Sequence, residues 1–389
     1  MLVFIKKIYI VGAGIAGLSF FENYPEKKNI IFIEKNDYIG GRIKTICSGS
    51  SYFEIGSQFF CKSDKSFWNL IEKKNLNKDV FKLDFSNISF YNQNKLYSDL
   101  NEIVYIIEQI LEDSNEKDKD GFFDSWFLKN FDKNKLFIPK GIIKAITFSN
   151  SVDTLAYYGR YILSTFFEDC FTFQYGLEEL VNSLSENIKI QRNSVQKYIF
   201  KDNKIIEILT ENSSIDVSKD IVISTAPPGD IEIKNNQILS EMFKKIKFCG
   251  CGVVIYKIKE DFVEKPDYIF FPENKYRISV IEQLRIGDDK FIGCLIPYHK
   301  GSLDQKEIID FSKKFLGKIL GCDMNKRIIE TFYWNWKKGL PIVNKEYVNT
   351  VSKLNDMAFE NLFFAGDYSS LYPSMESAVK SGLQVAQEI

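Results

Sequence analysis

The sequence predicts an α/β protein in which a Rossmann-like nucleotide-binding domain is interrupted by a discontinuous α+β domain of helices and a mixed or antiparallel sheet. Three observations predict it. An apolar run near the N-terminus leads into a glycine-rich turn and a helix pattern. A second apolar run near the C-terminus leads into Ala365-Gly366-Asp367 and another helix pattern. Between them, helical periodicity gives way to a succession of strand-like segments.

Ile8-Tyr9-Ile10-Val11 is apolar and mostly β-branched, the composition of a buried parallel strand. Gly12, Gly14 and Gly17 fit G-x-G-x-x-G. The first glycine permits the turn out of the strand, the second lets a pyrophosphate approach, and the third lets the helix pack closely. Ile15 and Ala16 begin that helix, whose free N–H groups and positive dipole end favour phosphate. Ile30-Ile31-Phe32-Ile33 reads as the next strand and ends in Glu34, with Lys35 following. Glu34 stands 22 positions after Gly12, near the roughly 20 expected of an acid that binds a ribose 2′-OH. An acid there disfavours NADP.

Gly40-Gly41-Arg42 follows. The glycines clear space, and the Arg42 guanidinium suits a phosphate. Glu54-Ile55-Gly56-Ser57-Gln58 can return the chain to the same ligand.

Asn101 to Leu111 has helical spacing, with Ile103, Ile106, Ile107 and Ile110 on one face. The charged run Glu112 to Gly121 reads as a solvated loop. Phe122 to Phe167 reads as helices, as does Glu178 to Leu184. Ile188 to Ile223 is strand-like, with turns at Asp202-Asn203 and Asn212-Ser213. Phe248 to Lys259, Tyr268 to Phe271, Ile278 to Leu284, Phe291 to Tyr298 and Ile328 to Trp336 read as strands of an antiparallel sheet, with a helix at Asp310 to Leu320. The nucleotide-binding domain is therefore expected at 1–84, 170–235 and 346–389. The second domain is expected at 85–169, as helices, and at 236–345, as a sheet.

At the far end, Leu362-Phe363-Phe364 leads to Gly366-Asp367, whose carboxylate can accept hydrogen bonds from ribitol hydroxyls. Ser374 suits an N-cap. The helix starting at Met375, with Ala378 in its first turn, would aim its N–H groups at the pyrimidine end of a flavin ring. Two half-sites at opposite ends of the chain imply one long ligand held between two walls, and the cofactor expected is FAD.

Length allows two domains with sizeable cores. A net charge of −1 gives no electrostatic reason to expect nucleic acid or an anionic membrane surface. The 34 Phe and 20 Tyr could line an apolar substrate tunnel or fill cores. Seven cysteines contain no C-x-x-C and no Cys/His cluster, so no metal is expected. An odd cysteine count without a secretion signal points to reduced thiols and a cytoplasmic protein. No apolar run is long enough for a transmembrane helix, which leaves only peripheral membrane contact open.

The motifs from Gly12 to Gly17, Glu34, Gly40-Gly41-Arg42, Glu54-x-Gly56, Ala365-Gly366-Asp367 and Met375-Glu376-Ser377-Ala378 resemble the flavin amine oxidase superfamily. That group includes monoamine oxidases, protoporphyrinogen oxidase, carotenoid desaturases and renalase-like proteins. The resemblance is strong near both ends of the chain. It is weaker in the middle, at Gly176 to Val181 and at Ile221 to Pro228. It implies that Val195 binds adenine through its backbone. The C-terminal stretch is most similar to carotenoid desaturases, with Ser377 where those have glycine.

The resemblance also implies hydride transfer from a C–H bond to flavin N5, dehydrogenating a C–C or C–N bond in a small to mid-sized, fairly apolar substrate. O₂ or a quinone would be the acceptor. Trp334-Asn335-Trp336 resembles the segment that passes the substrate side of the flavin. The candidates to face substrate are Tyr372, Tyr298, Tyr333, Trp334 and Trp336, and no catalytic residue is assigned. His299, the sole histidine, reads as a surface turn residue. Two departures point away from amine oxidases. Cys251 stands where those have a lysine, and Ser374 stands where they have an aromatic. No cysteine lies between Tyr368 and Gly382, so no covalent flavin link is expected. Amine oxidation with peroxide release and a non-redox role as isomerase or binding protein are the alternatives.

Overall fold

The computed structural model describes residues 6–112, 121–259, 266–286, 289–299 and 301–389. The expected charged loop falls mostly outside these residues. Five parallel strands form the first sheet, in the order Ile190–Arg192, Ile30–Glu34, Ile8–Val11, Ile221–Ser224 and Leu362–Phe364. The central strand Ile8–Val11 is buried throughout, because helices cover the sheet.

The first helix, Ile15–Asn23, lies against the last, Met375–Glu388, so the two ends of the chain share one layer. Glycines allow the close packing on both sides of the first helix. Toward the sheet, a Cβ at Gly17 would stand 2.9 Å from the Gly12 carbonyl oxygen and from Ile10 Cγ2. One at Gly382 would stand 2.1 Å from the Ala16 carbonyl oxygen. Beside this layer, Val195–Lys201, Lys204–Thr210, Ser214–Asp216 and Glu232–Lys234 form a four-stranded sheet.

The largest sheet has seven strands, in the order Ile328–Pro341, Phe248–Ile258, Asp289–Tyr298, Val280–Ile286, Tyr268–Phe270, Ile88–Asn92 and Lys95–Tyr97. Period-2 alternation sorts its side chains. Val254, Tyr256, Ile281 and Ile296 pack with Ile308, Leu316 and Leu320 of the helix Gln305–Leu320. Val253, Val280 and Leu295 point to the opposite face. The helices Leu100–Glu112, Phe123–Asn130, Phe137–Thr147 and Ala156–Ser164 bury their apolar faces in the main core.

One element differs from the sequence reading, which began the helical region at residue 85. The hairpin Ile88–Asn92/Lys95–Tyr97 instead extends the large sheet, pairing parallel with Tyr268–Phe270. Gln93 and Asn94 both take positive φ, 49° and 63°, as a two-residue hairpin turn requires. All the described cysteines are free thiols. No helix among the described residues is long and apolar enough to cross a membrane.

Candidate active site

A cavity of about 1920 Å³ opens where the glycine turn meets the last helix and extends beneath the large sheet. Ordinary small-ligand pockets occupy roughly 300–1,000 Å³, so this one has room for a long nucleotide and a second molecule. Gly12, Gly14, Ile15, Ala16, Glu34, Lys35, Gly41, Arg42, Gly56, Ser57, Val195, Gly366, Asp367, Ser374, Met375 and Ala378 all line it. Gly17 lies deeper, packed on the strand.

The N-terminal wall is a cradle of backbone. Gly12 has φ 102° and turns the chain out of its strand. A Cβ at Gly14 would meet only Gly41 Cα, at 4.0 Å, and would otherwise fill cavity space. The first helix has no side-chain cap and no acid in its first turn. Its leading N–H groups are thus left for an anion. Glu34 is buried, with Oε2 accepting from Ala13 N–H at 2.7 Å and Oε1 from Asn36 N–H at 2.8 Å. These bonds fix its carboxylate at the cavity floor. Lys35 is held by Asp230, at 2.9 Å, which also pairs with Lys338 at 2.6 Å. An uncapped helix start, a side-chain-free cradle and a fixed carboxylate fit a dinucleotide.

The C-terminal wall is capped from within. Ser374 Oγ accepts from Ser377 N–H at 3.1 Å, and Ser377 Oγ accepts from Ser374 N–H at 2.9 Å. This reciprocal cap gives Ser377 a local structural purpose. Arg42, whose guanidinium suits a phosphate by sequence, meets a carboxylate of the chain itself. It grips Asp367 through both terminal nitrogens, at 2.7 and 2.5 Å, and donates to the Gly339 carbonyl at 2.8 Å. A long side chain crossing between two segments takes the nearest buried anion as its partner.

Trp334 and Trp336 line the cavity, with ring centroids 5.6 Å apart. Trp336 Nε1 donates to the Ile55 carbonyl at 2.6 Å, which holds its indole beside Gly56. Tyr298 and Tyr372 do not line it. Tyr298 covers Gly250 and donates to Asn335 Oδ1 at 2.7 Å. Tyr372 is partly exposed and packs its ring on Tyr161 at 4.6 Å. Tyr333 also stands outside the lining. His299 contacts Cys249 Sγ at 3.3 Å, and burial holds its pKa below the usual value. Cys251 is fully buried opposite Trp336 and Pro297.

The sequence reading missed one buried acid on the strand side of the chamber. Glu282 lines the cavity, is 2% exposed, and receives Gln58 Nε2 at 2.8 and 2.9 Å on its two oxygens. Burial pushes its pKa up to about 7. Around it stand Val253, Tyr268, Phe270, Val280 and Leu295. The signal was present in Val280-Ile281-Glu282, where strand alternation puts the acid on the same face as Val280.

A sequence profile described as "Flavin containing amine oxidoreductase" matches residues 108–389. Another, described as "NAD(P)-binding Rossmann-like domain", matches residues 10–73. Solved structures of similar fold include a protein from Exiguobacterium sp. 255-15 provisionally designated a protoporphyrinogen oxidase (13% identity, 99% of each chain covered, TM-score 0.76). A CLA-producing fatty acid isomerase from P. acnes shares 17% identity over 99% of this chain and 98% of its own, with TM-score 0.75. Cyclohexylamine oxidase from Brevibacterium oxydans IH-35A shares 12% identity over 98% of each chain, with TM-score 0.76. At these identities the likeness shows the fold.

Proposed function

Since this chain belongs to the flavin containing amine oxidoreductase family, we propose that its cavity binds FAD non-covalently and that the protein dehydrogenates a C–C or C–N bond in a small to mid-sized, fairly apolar substrate. The observation that carries this reading is the convergence of both chain ends on one cavity, tied together by Arg42 and Asp367.

The roles follow from position. The first-turn N–H groups of Ile15 and Ala16, with Gly14 and Gly41 clearing the way, hold the pyrophosphate. Glu34 accepts from a ribose hydroxyl, and the Val195 backbone meets the adenine. Asp367, oriented by Arg42, keeps lone pairs for ribitol hydroxyls. The helix start at Ser374, Met375 and Ala378 faces the pyrimidine end of the ring with its positive dipole. A bound flavin supplies a hydride acceptor at N5. Trp334, Trp336, Tyr268 and Phe270 exclude water and hold the substrate. We assign 1–84, 170–235 and 346–389 to the FAD-binding domain, and 85–169 and 236–345 to the substrate domain.

Amine oxidation by O₂ is the second reading, favoured by the family's own chemistry. Peroxide release with a panel of amines supports it, and peroxide-free turnover with a quinone acceptor supports the first. Anaerobic bleaching of the bound flavin by substrate, reversed by adding an acceptor, is expected for either. Turnover with no change in flavin absorbance contradicts both and makes the protein an isomerase.

A further inference from the structure

We propose that Glu282 is a specificity-determining residue that pairs with a positively charged group on the substrate, away from the bond that is oxidised. This rests on the cavity being the chamber where flavin and substrate meet.

The carboxyl has a built seat. Glu282 and Gly293 are directly opposed on adjacent antiparallel strands. A Cβ at Gly293 would lie 2.6 Å from Glu282 Cγ and Oε1, so only glycine leaves room for the acid. Val280 and Glu282 share the cavity face, while Ile281 points into the core beneath the helix Gln305–Leu320. The neutral Gln58 amide steadies both oxygens from the loop that follows Gly56.

What the seat lacks is a cation. The titratable groups nearest Glu282 are Tyr268, paired with it on one neighbouring strand, Cys294 on the other strand but pointing to the opposite face of the sheet, and Cys251 on the cavity face one strand beyond. All three are weak acids that burial drives further from ionisation. Among the described residues, no lysine, arginine or histidine acts on its ionisation. A buried carboxyl is ordinarily paired with a charge of its own. Here one side is open to an apolar, aromatic chamber, so the missing partner is a cation brought by the ligand.

That cation cannot sit on the reacting centre. A carbon attached to a protonated nitrogen has no adjacent lone pair to stabilise the loss of hydride. The charge held at Glu282 is therefore a second group, separated by an apolar spacer from the C–H bond presented to the flavin. The substrate class is an apolar molecule with one cationic end.

The test uses the flavin-loaded protein and two probes of matched chain length, n-octylammonium and n-octanol, titrated anaerobically by calorimetry. Octylammonium keeps its proton between about pH 6 and 8, whereas Glu282 titrates near the middle of that window, with a pKa of about 7. Its affinity should rise about tenfold across the window, following the ionised fraction. At pH 8 it should exceed that of octanol at least tenfold. Glu282→Gln should abolish both effects and leave octanol binding within about twofold. The pH profile needs no variant, so it stands even if Glu282→Gln misfolds. Octylammonium binding no tighter than octanol, or flat with pH, overturns the assignment of Glu282 if the flavin is retained. Absence of flavin from the wild-type protein overturns the chamber itself, and this inference with it.

Discussion

Arg42 and Asp367 stand 325 positions apart in the chain yet form a two-pronged ion pair, Nη1 to Oδ2 at 2.7 Å and Nη2 to Oδ1 at 2.5 Å. The Asp367 side chain is only 4% exposed, against 29% for Arg42. The pair links the loop after the second strand to the loop after the last, across the mouth of the nucleotide cradle. It therefore serves the fold and the proposed cofactor site together.

Arg42→Ala leaves that carboxylate buried without its cation. The flavin-free protein should lose about 3 kcal/mol in urea unfolding, as for a buried ion pair broken on one side. Removing both partners should recover part of the loss. Unchanged stability in Arg42→Ala would show that the pair is not formed in solution.

Glu34 and Gly14 should separate cofactor binding from folding. Glu34→Ala removes the ribose acceptor and the anchor of Ala13 N–H, and should weaken FAD by about 1–3 kcal/mol. Gly14→Ala adds a methyl group in cavity space with no protein atom closer than 4.0 Å. It should unfold at the wild-type temperature when flavin-free, yet bind flavin at least about tenfold more weakly, the effect of some 1.4 kcal/mol. Flavin titration beside thermal unfolding of the apoprotein reads both.

Gly382→Ala should impair folding and flavin binding together. Its Cβ would lie 2.1 Å from the Ala16 carbonyl oxygen, so the first and last helices must part. Overpacking of this kind costs typically about 1–3 kcal/mol. Thermal unfolding of the apoprotein should show the loss, and flavin affinity should fall as the Ile15 helix start shifts.

Glu54 gives a pH signature. It is buried, accepts from Leu177 N–H at 2.6 Å and Thr45 Oγ1 at 3.0 Å, and burial pushes its pKa up to about 8. Between the ordinary glutamate value and 8, the folded chain keeps a proton that the unfolded chain has released. Stability contributed by Glu54 therefore falls as pH rises through that window, by up to about 1.4 kcal/mol per pH unit, and levels off above it. Urea unfolding at pH 5, 6.5 and 8 should show the fall, and Glu54→Gln should make it shallower, most of all between pH 7 and 8, above the value of about 7 at which Glu282 titrates.

The parts legible in the sequence were those set by local backbone demands. Gly12 to Gly17 must turn a strand into a helix, Glu34 must end the next strand, and Ser374 must cap a helix. Each need is met within a few residues, so spacing alone revealed it. The Arg42–Asp367 and Gln58–Glu282 contacts join segments whose register only tertiary packing sets. Tyr298 and Tyr372 were candidates by aromatic type alone, and strand alternation and ring packing take them out of the cavity. The hairpin at 88–97 was hidden because its turn, Gln93-Asn94, lacks glycine.

The most direct test of the central claim is the absorption spectrum of the protein purified without added cofactor, followed by chromatography of the nucleotide released on denaturation. The purified protein should be yellow, with a flavin band at about 450 nm, and should release near-stoichiometric FAD on heating or acidification. A colourless protein that is fully folded, binds no added FAD and retains its cooperative unfolding would contradict that claim.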